Sequence, residues 1–256
     1  MRNILIIAKR DLRAQFNSPV AYVVIGGTLL LLGILFFLIP HINGMFLGSF
    51  WDVDRASMDQ MFTFLPALMS LFVIPAVTMR SLAAEKGSGT LELLITMPIK
   101  DSEVILGKYL ACCAMVLVLL AATLLYPITM FVWPWHLGPL DWGPVWAGYM
   151  GIAFFSFAAI GLGMMLSSLT ESDVVAFFTT AGALCVLYGI GFMVSSVSWG
   201  DKASWLSDSL AFVSFQSRLQ SFMRGIIDAR AVIYFASVAV VCLLVSFRSL
   251  ESRKWS

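Results

Sequence analysis

Glu85-Lys86-Gly87-Ser88-Gly89-Thr90-Leu91-Glu92-Leu93-Leu94-Ile95-Thr96-Met97-Pro98-Ile99, closed by Gly107-Lys108, is a charged island between two long apolar runs. Thr90 is placed to cap a short helix whose first turn carries Glu92, a negative charge at the positive end of the helix dipole. Pro98 stops that helix. Asp101 is placed to cap the next one, with Glu103 in its first turn, and Val104-Ile105-Leu106 leads through Gly107-Lys108 into the following apolar run. The spacing therefore predicts a helical elbow rigidly joined to a membrane helix, a surface that touches a soluble partner and transmits a push. An ordinary helical hairpin between two spans carries caps and charges of the same kind.

The chain around the island is 60% hydrophobic and 12% charged, where soluble domains carry about 25% charged residues. A helix crosses the roughly 30 Å hydrocarbon core with about 20 apolar residues. Residues 20–39, 61–78, 109–132, 144–169, 174–197 and 231–247 meet or approach that length, and none contains Asp, Glu, Lys, Arg or His. Ionisable groups at mid-membrane mark proton relays and ion paths, so an ion pump or proton-coupled carrier is disfavoured. A net charge of +1 provides no basic field to gather nucleic acid.

Six spans put both ends on one side. Arg2, Lys9, Arg10 and Arg13 precede the first span, Arg80, Lys86, Lys100 and Lys108 separate the second from the third, and Arg248, Arg253 and Lys254 follow the sixth. The other side has Arg55, Lys202, Arg218, Arg224 and Arg230. Positive residues in short loops stay cytoplasmic, so both termini and the island are expected in the cytoplasm. The N-terminal stretch lacks a cleavage pattern and is read as uncleaved. Leu5, Ala8, Leu12 and Phe16 recur at helical spacing, which predicts an amphipathic helix over residues 1–16 in the inner interface. Ser18 then caps span one and Pro19 opens it.

Cys112, Cys113, Cys185 and Cys242 fall in predicted spans and read as packing residues. His41 and His136 stand singly at the outer boundary, a poor basis for a metal site. No phosphate-binding loop, HExxH or GxSxG motif occurs, so the chain is not expected to bind or hydrolyse ATP by itself. Over residues 198–230, Phe212, Phe215, Leu219, Phe222, Met223 and Ile226 recur at helical spacing, predicting a helix lying in or dipping into the outer interface. Arg218 and Arg224 on it read most simply as snorkelling to water. Small residues at Gly26-Gly27, Ala159, Gly161, Gly163, Gly182, Gly189 and Gly191 predict close helix contacts, and Pro66, Pro75 and Pro127 predict kinks or breaks.

The island, with its E-K-x-x-G-T-x-E-x-L-x-x-x-P pattern followed by Gly107-Lys108, resembles the cytoplasmic segment of ABC-2 type transporter permeases. Asn17-Ser18-Pro19-Val20-Ala21-Tyr22 and Arg224-Gly225-Ile226-Ile227-Asp228-Ala229-Arg230 resemble the gliding-motility-type branch of that family. The resemblance implies an all-α, type V exporter-like polytopic domain over residues 1–256, with six transmembrane helices, a connecting helix at 1–16, a coupling segment at 85–107 and an outer re-entrant or interfacial segment at 198–230. Glu85, Gly89, Thr90, Glu92 and Pro98 match the pattern and become ATPase-coupling candidates. The Glu171-Ser172-Asp173 turn becomes a second contact, with Glu171 and Asp173 as candidates, although it also reads as a plain tight turn. Phe215, Phe222 and Arg224 become outer-gate candidates.

What this implies is a non-enzymatic permease subunit of the bacterial inner membrane. It would pair with a second permease subunit, as a homo- or heterodimer, and rest on two ABC ATPase subunits that bind ATP and Mg. Its substrate would be amphipathic or lipid-linked. The alternative is a membrane scaffold that couples an ABC ATPase to mechanical or assembly work without moving cargo.

Overall fold

The computed structural model describes residues 2–38, 58–87, 101–131, 140–196 and 204–252, and every regular element among them is helical. Six runs among the described residues are long and apolar enough to cross a membrane: Pro19–Phe36, Asp59–Gly87, Asp101–Thr129, Trp142–Leu169, Asp173–Ser196 and Ala229–Glu251.

Helix α1 is Arg2–Asn17. Ser18 ends it in an extended conformation, its Oγ accepting the Val20 N–H at 3.4 Å, and Pro19 opens α2, Pro19–Gly33. A π-helical turn, Ile34–Leu38, continues α2. The second span comprises α3, Asp59–Leu68, a π-helical turn, Met69–Val73, and α4, Ile74–Gly87. Pro66 and Pro75 flank that turn. Neither has an N–H to place on the fourth carbonyl back. The chain widens between them, with Ile74 N–H on Met69 O and the Ser70 hydroxyl donating to Pro66 O at 2.8 Å.

Helix α5, Asp101–Thr123, breaks at Leu124, whose N–H turns back to Ala121 O at 3.2 Å. Pro127 lies in the first turn of the short α6, Leu125–Phe131, where its missing N–H would otherwise have demanded Thr123 O. Helix α7, Trp142–Leu169, starts on an Asp141 cap that accepts the Gly143 N–H at 3.0 Å. After it come α8, Asp173–Ser196; α9, Ser204–Val213; α10, Phe215–Met223; and α11, Ala229–Ser252.

The bundle is built around α7, which touches α3, α4, α5, α8, α10 and α11. Its spanning window is 67% buried, against 22% for α2 and 28% for α8 and α11. Lipid tails solvate leucine as well as protein does, so helices associate in a bilayer by close packing, and close packing needs small residues at the contact. α7 supplies them on several sides. A Cβ on Gly148 would stand 2.6 Å from the Phe62 ring, and one on Gly151 would stand 2.6 Å from Phe222 Cβ. Gly161 seats the backbone of α11 at Ala239, and Gly163 seats Thr78 of α4. By contrast Gly26, Gly27, Gly182 and Gly189 have nothing within 4 Å of such a Cβ among the described residues.

Helix α1 keeps the expected Leu12 and Phe16 against the bundle but turns Leu5 away from it. Leu5 is 65% exposed, and the side against the bundle carries Ile7, Leu12 and Phe16. The reason lies on α5, where Gly107 leaves a hollow that Ile7 fills: a Cβ there would be 2.7 Å from Ile7 Cγ2.

Replacing Gly151 with Val forces branched carbons into Phe222. Overpacking of this kind costs about 1–3 kcal/mol. A lowered midpoint of thermal unfolding, followed by tryptophan fluorescence in detergent, is the expected outcome; Gly182→Val, where a Cβ meets none of the described residues within 4 Å, should leave the midpoint unchanged.

Candidate functional site

Among the coupling candidates, Glu85, Glu171 and Asp173 fall within the described residues, while Gly89, Thr90, Glu92 and Pro98 lie outside them. Glu85 lies in the last turn of α4 and Lys108 in the second turn of α5, so the two flank the elbow. Lys108 Nζ donates to Glu85 Oε1 at 2.6 Å and stands 3.3 Å from Asp11 Oδ2 on α1. The lysine is 4% exposed. One buried ammonium thus joins the carboxylates of two other helices, and the removal of any member leaves charge behind in a poorly solvated place. Arg10 completes the cluster from the exposed side, 2.9 Å from Asp11 Oδ1.

Other contacts extend this junction along α1 and α5. Asn3 Nδ2 donates to Glu103 Oε2 at 3.1 Å, Ile7 fills the hollow at Gly107, Asp11 meets Lys108, and Gln15 Nε2 reaches Cys112 Sγ at 3.7 Å. The α1 positions recur every four residues, close to the helical repeat, so a single face of α1 makes all four contacts. Beneath them is a cleft of about 210 Å³, lined in part by Gln15, Ser18, Arg80 and Ser81.

The opposite side of α4 is fastened to the α7–α8 turn. Ser167 Oγ accepts the N–H groups of Leu82 at 3.3 Å and Ala83 at 3.0 Å, and donates to Met79 O at 3.2 Å. The Lys86 ammonium donates to Ser168 O at the C-terminal end of α7, where helix carbonyls lack intrahelical partners. A Cβ on Gly87 would lie 2.7 Å from Glu171 O. Arg80 Nε is 4.0 Å from Asp173 Oδ2. The structure therefore brings the Glu171–Asp173 turn and the Glu85 cluster to the same strut, the last two turns of α4. Sequence reading missed Lys108 as the shared partner of Glu85 and Asp11; the available signal was an acidic residue in a basic amphipathic helix and a lysine directly following Gly107.

At the opposite end of the bundle, α9 and α10 form a hairpin. Ser214 at its tip is fully buried and caps α10, its Oγ accepting the Ser217 N–H at 3.3 Å. The outer-gate candidates divide. Phe215 and Phe222 are 1% and 0% exposed and pin the hairpin to α7, Phe215 in edge contact with Phe155 and Phe235 at 5.7 Å each. Arg224 is exposed and lines a cleft of about 440 Å³ with Asp59, Gln60, Thr63, Tyr188 and Gln220. Gly225 follows at φ 83°, a left-handed conformation that glycine adopts without strain, packed on Pro144 near the start of α7.

Residues 52–248 match the family described as ABC-2 family transporter protein. The chain belongs to the ABC-2 transporter family. Comparison with curated proteins gives no match. As an ABC-2 protein it is a multi-pass membrane component of an ABC transporter rather than a catalytic domain, and family membership implies partnership with an ABC ATPase. The matched region takes in the elbow, α3–α10 and nearly all of α11, while α1 and α2 lie before it.

Lys108→Met removes the shared cation and leaves two carboxylates facing each other. Breaking such a pair costs about 3–5 kcal/mol when fully buried; because Glu85 is 23% and Asp11 16% exposed, a loss of about 2 kcal/mol is expected after allowing for solvent screening. Thermal unfolding should show that loss, with partial recovery in the Lys108→Met, Glu85→Gln double variant. Cysteine labelling at position 7 should rise in the single variant as α1 loosens from α5.

Proposed function

We propose that this chain is the permease subunit of an ATP-driven ABC-2 transporter in the bacterial inner membrane, most like the gliding-motility-type branch, with both termini in the cytoplasm. It pairs with a second permease subunit and receives force from two separate ABC ATPase subunits, which hold ATP and Mg. The cargo is an amphipathic or lipid-linked molecule. The single observation that carries this reading is the bracing of the elbow: the helix that enters it and the helix that leaves it are bolted together by Glu85 and Lys108, and to α1 by Asp11.

A loop that merely connects two spans has no need of an ion cluster across its base. A loop that is pushed does. Closure of the ATPases around ATP presses on residues 88–100, where Glu92 supplies charge for that contact. The push can do work only if the elbow binds the two ATPase states unequally. Because α4, α5 and α1 are tied at the base, they move as one body. The π-helical turn at Met69–Val73 is where the second span yields, since its ladder is already interrupted between two prolines. Through the fixed seat of Ser167 and Lys86, the same motion reaches α7 and the Glu171–Asp173 turn.

Glu92→Lys reverses the charge on the contact surface and should lower ATPase stimulation by the permease at least fivefold in a reconstituted complex, with membrane insertion and unfolding midpoint intact. Unchanged stimulation counts against the reading. So does labelling of a cysteine at Thr90 by an impermeant reagent added outside intact cells.

A further inference from the structure

We propose that Arg218 is a binding station for the phosphate of an anionic lipid headgroup, held part-way through the bilayer at the tip of the α9–α10 hairpin. The inference rests on the transporter reading above and names its substrate class, an amphipath with a phosphate head.

Depth is the first argument. Phe215, at the start of α10, packs on Phe155 at 5.7 Å. Phe155 stands thirteen residues beyond Trp142, which opens α7, and Tyr234 stands five residues beyond Ala229, which opens α11, so the hairpin tip lies about 20 Å along the first helix and about 8 Å along the second at 1.5 Å per residue. Arg218 is one turn from Phe215. The exit of the hairpin, Gly225 against Pro144, marks the shallow end.

Direction is the second. Side chains on a helix lean toward its N-terminus, and the N-terminus of α10 is its deep end. An arginine near a membrane surface ordinarily snorkels outward to water. Arg218 does the reverse: its guanidinium carbon lies 4.7 Å from the Phe212 ring centroid, on the far side of the tip, and 5.5 Å from that of Tyr234. Tyr234 is itself fixed, its hydroxyl donating to Val213 O at 2.7 Å. The aromatic walls hold the cation down.

The guanidinium also lacks a counterion among the described residues, and its buried Nε donates to no acceptor there. Ring faces attract a cation, but they leave the N–H edge of the guanidinium unused. That edge is a planar fork that matches two oxygens of a phosphate. A charge at this depth in hydrocarbon is costly without a counterion. The clamp also opens outward on the bundle, since Phe212 is 60% and neighbouring Ile233 68% exposed. A headgroup arriving from the lipid side therefore has a side entry to the clamp, where the aromatic wall must shift for its phosphate to reach the buried Nε, and its acyl chains stay against apolar helix surface.

The test is lipid binding by the purified full-length chain without ATPase or nucleotide, measured by native mass spectrometry during titration with dioleoylphosphatidylglycerol, with dioleoylglycerol as the phosphate-free control. Wild type should bind the phosphatidylglycerol at least tenfold more tightly than Arg218→Gln, with Arg218→Lys between them because an ammonium keeps the charge but loses the fork. Dioleoylglycerol should bind all three alike. Equal phosphatidylglycerol binding by wild type and Arg218→Gln overturns the proposal, and so does full competition by millimolar inorganic phosphate, which would make this a site for a soluble anion. In proteoliposomes with the partner ATPase, ATP-driven movement of fluorescent phosphatidylglycerol should fall in Arg218→Gln; retained movement reduces the bound lipid to a resident one and overturns the station. Failure of the transporter reading would appear instead in the Glu92→Lys assay, which this binding measurement does not use.

Discussion

The ammonium of Lys108, buried between the carboxylates of Glu85 and Asp11, is the interaction on which the rest of this structure depends. Ion pairs away from water are held by mutual need: each partner would face a large desolvation cost alone, so the three helices that carry them are constrained to stay together. The constraint acts where it has most effect, at the base of a loop. Without it, α4 and α5 would be held together at this end chiefly by apolar contacts that lipid tails could replace. With it, α1 ceases to be a detached interfacial helix and becomes a third leg of the same tripod.

Force applied to that tripod has a defined route. On its far side α4 is held by Ser167 and by the Lys86 contact to the end of α7. Helix α7 in turn seats its neighbours on glycines, so that movement of one wall is felt by the others through backbone rather than through long adaptable side chains. The second span contains its own point of compliance. Proline on both sides of Met69–Val73 removes ladder donors, and a wide turn is the cheapest way for a buried helix to keep its remaining groups paired.

At the opposite end the hairpin reverses the usual preference of polar chain for water. It reaches deep into the bundle because its tip is self-sufficient: Ser214 caps α10, and Phe215, Leu219 and Phe222 fill one side of α7. Phe222 is accommodated only because position 151 is glycine. The two ends of the protein therefore differ in kind. One is an ionic brace, strong and directional; the other is an aromatic plug whose packing against α7 is close but uncharged, apart from the arginine held beside it.

Six spans and a helix over the N-terminal stretch were legible in the sequence because bilayer thickness fixes the length of an apolar run, and because the Ser18 cap and Pro19 act within a residue or two of where they stand. The family pattern in the island was legible for the same reason, being contiguous. Phe215 and Phe222 were legible as an apolar stripe, although spacing alone did not say whether that stripe lay on the bundle or entered it. What only the tertiary structure decided were pairings between distant positions. Asp11 meets Lys108, the Ser167 hydroxyl meets the backbone of α4, and Arg218 turns down toward Phe212 and Tyr234 instead of up toward water. Local rules give each of these residues a solvated, unremarked role. Their roles come from neighbours nearly a hundred residues away or across a turn, and the physical reason is the bilayer itself: where water cannot reach, a polar group is defined by the partner that folding brings to it.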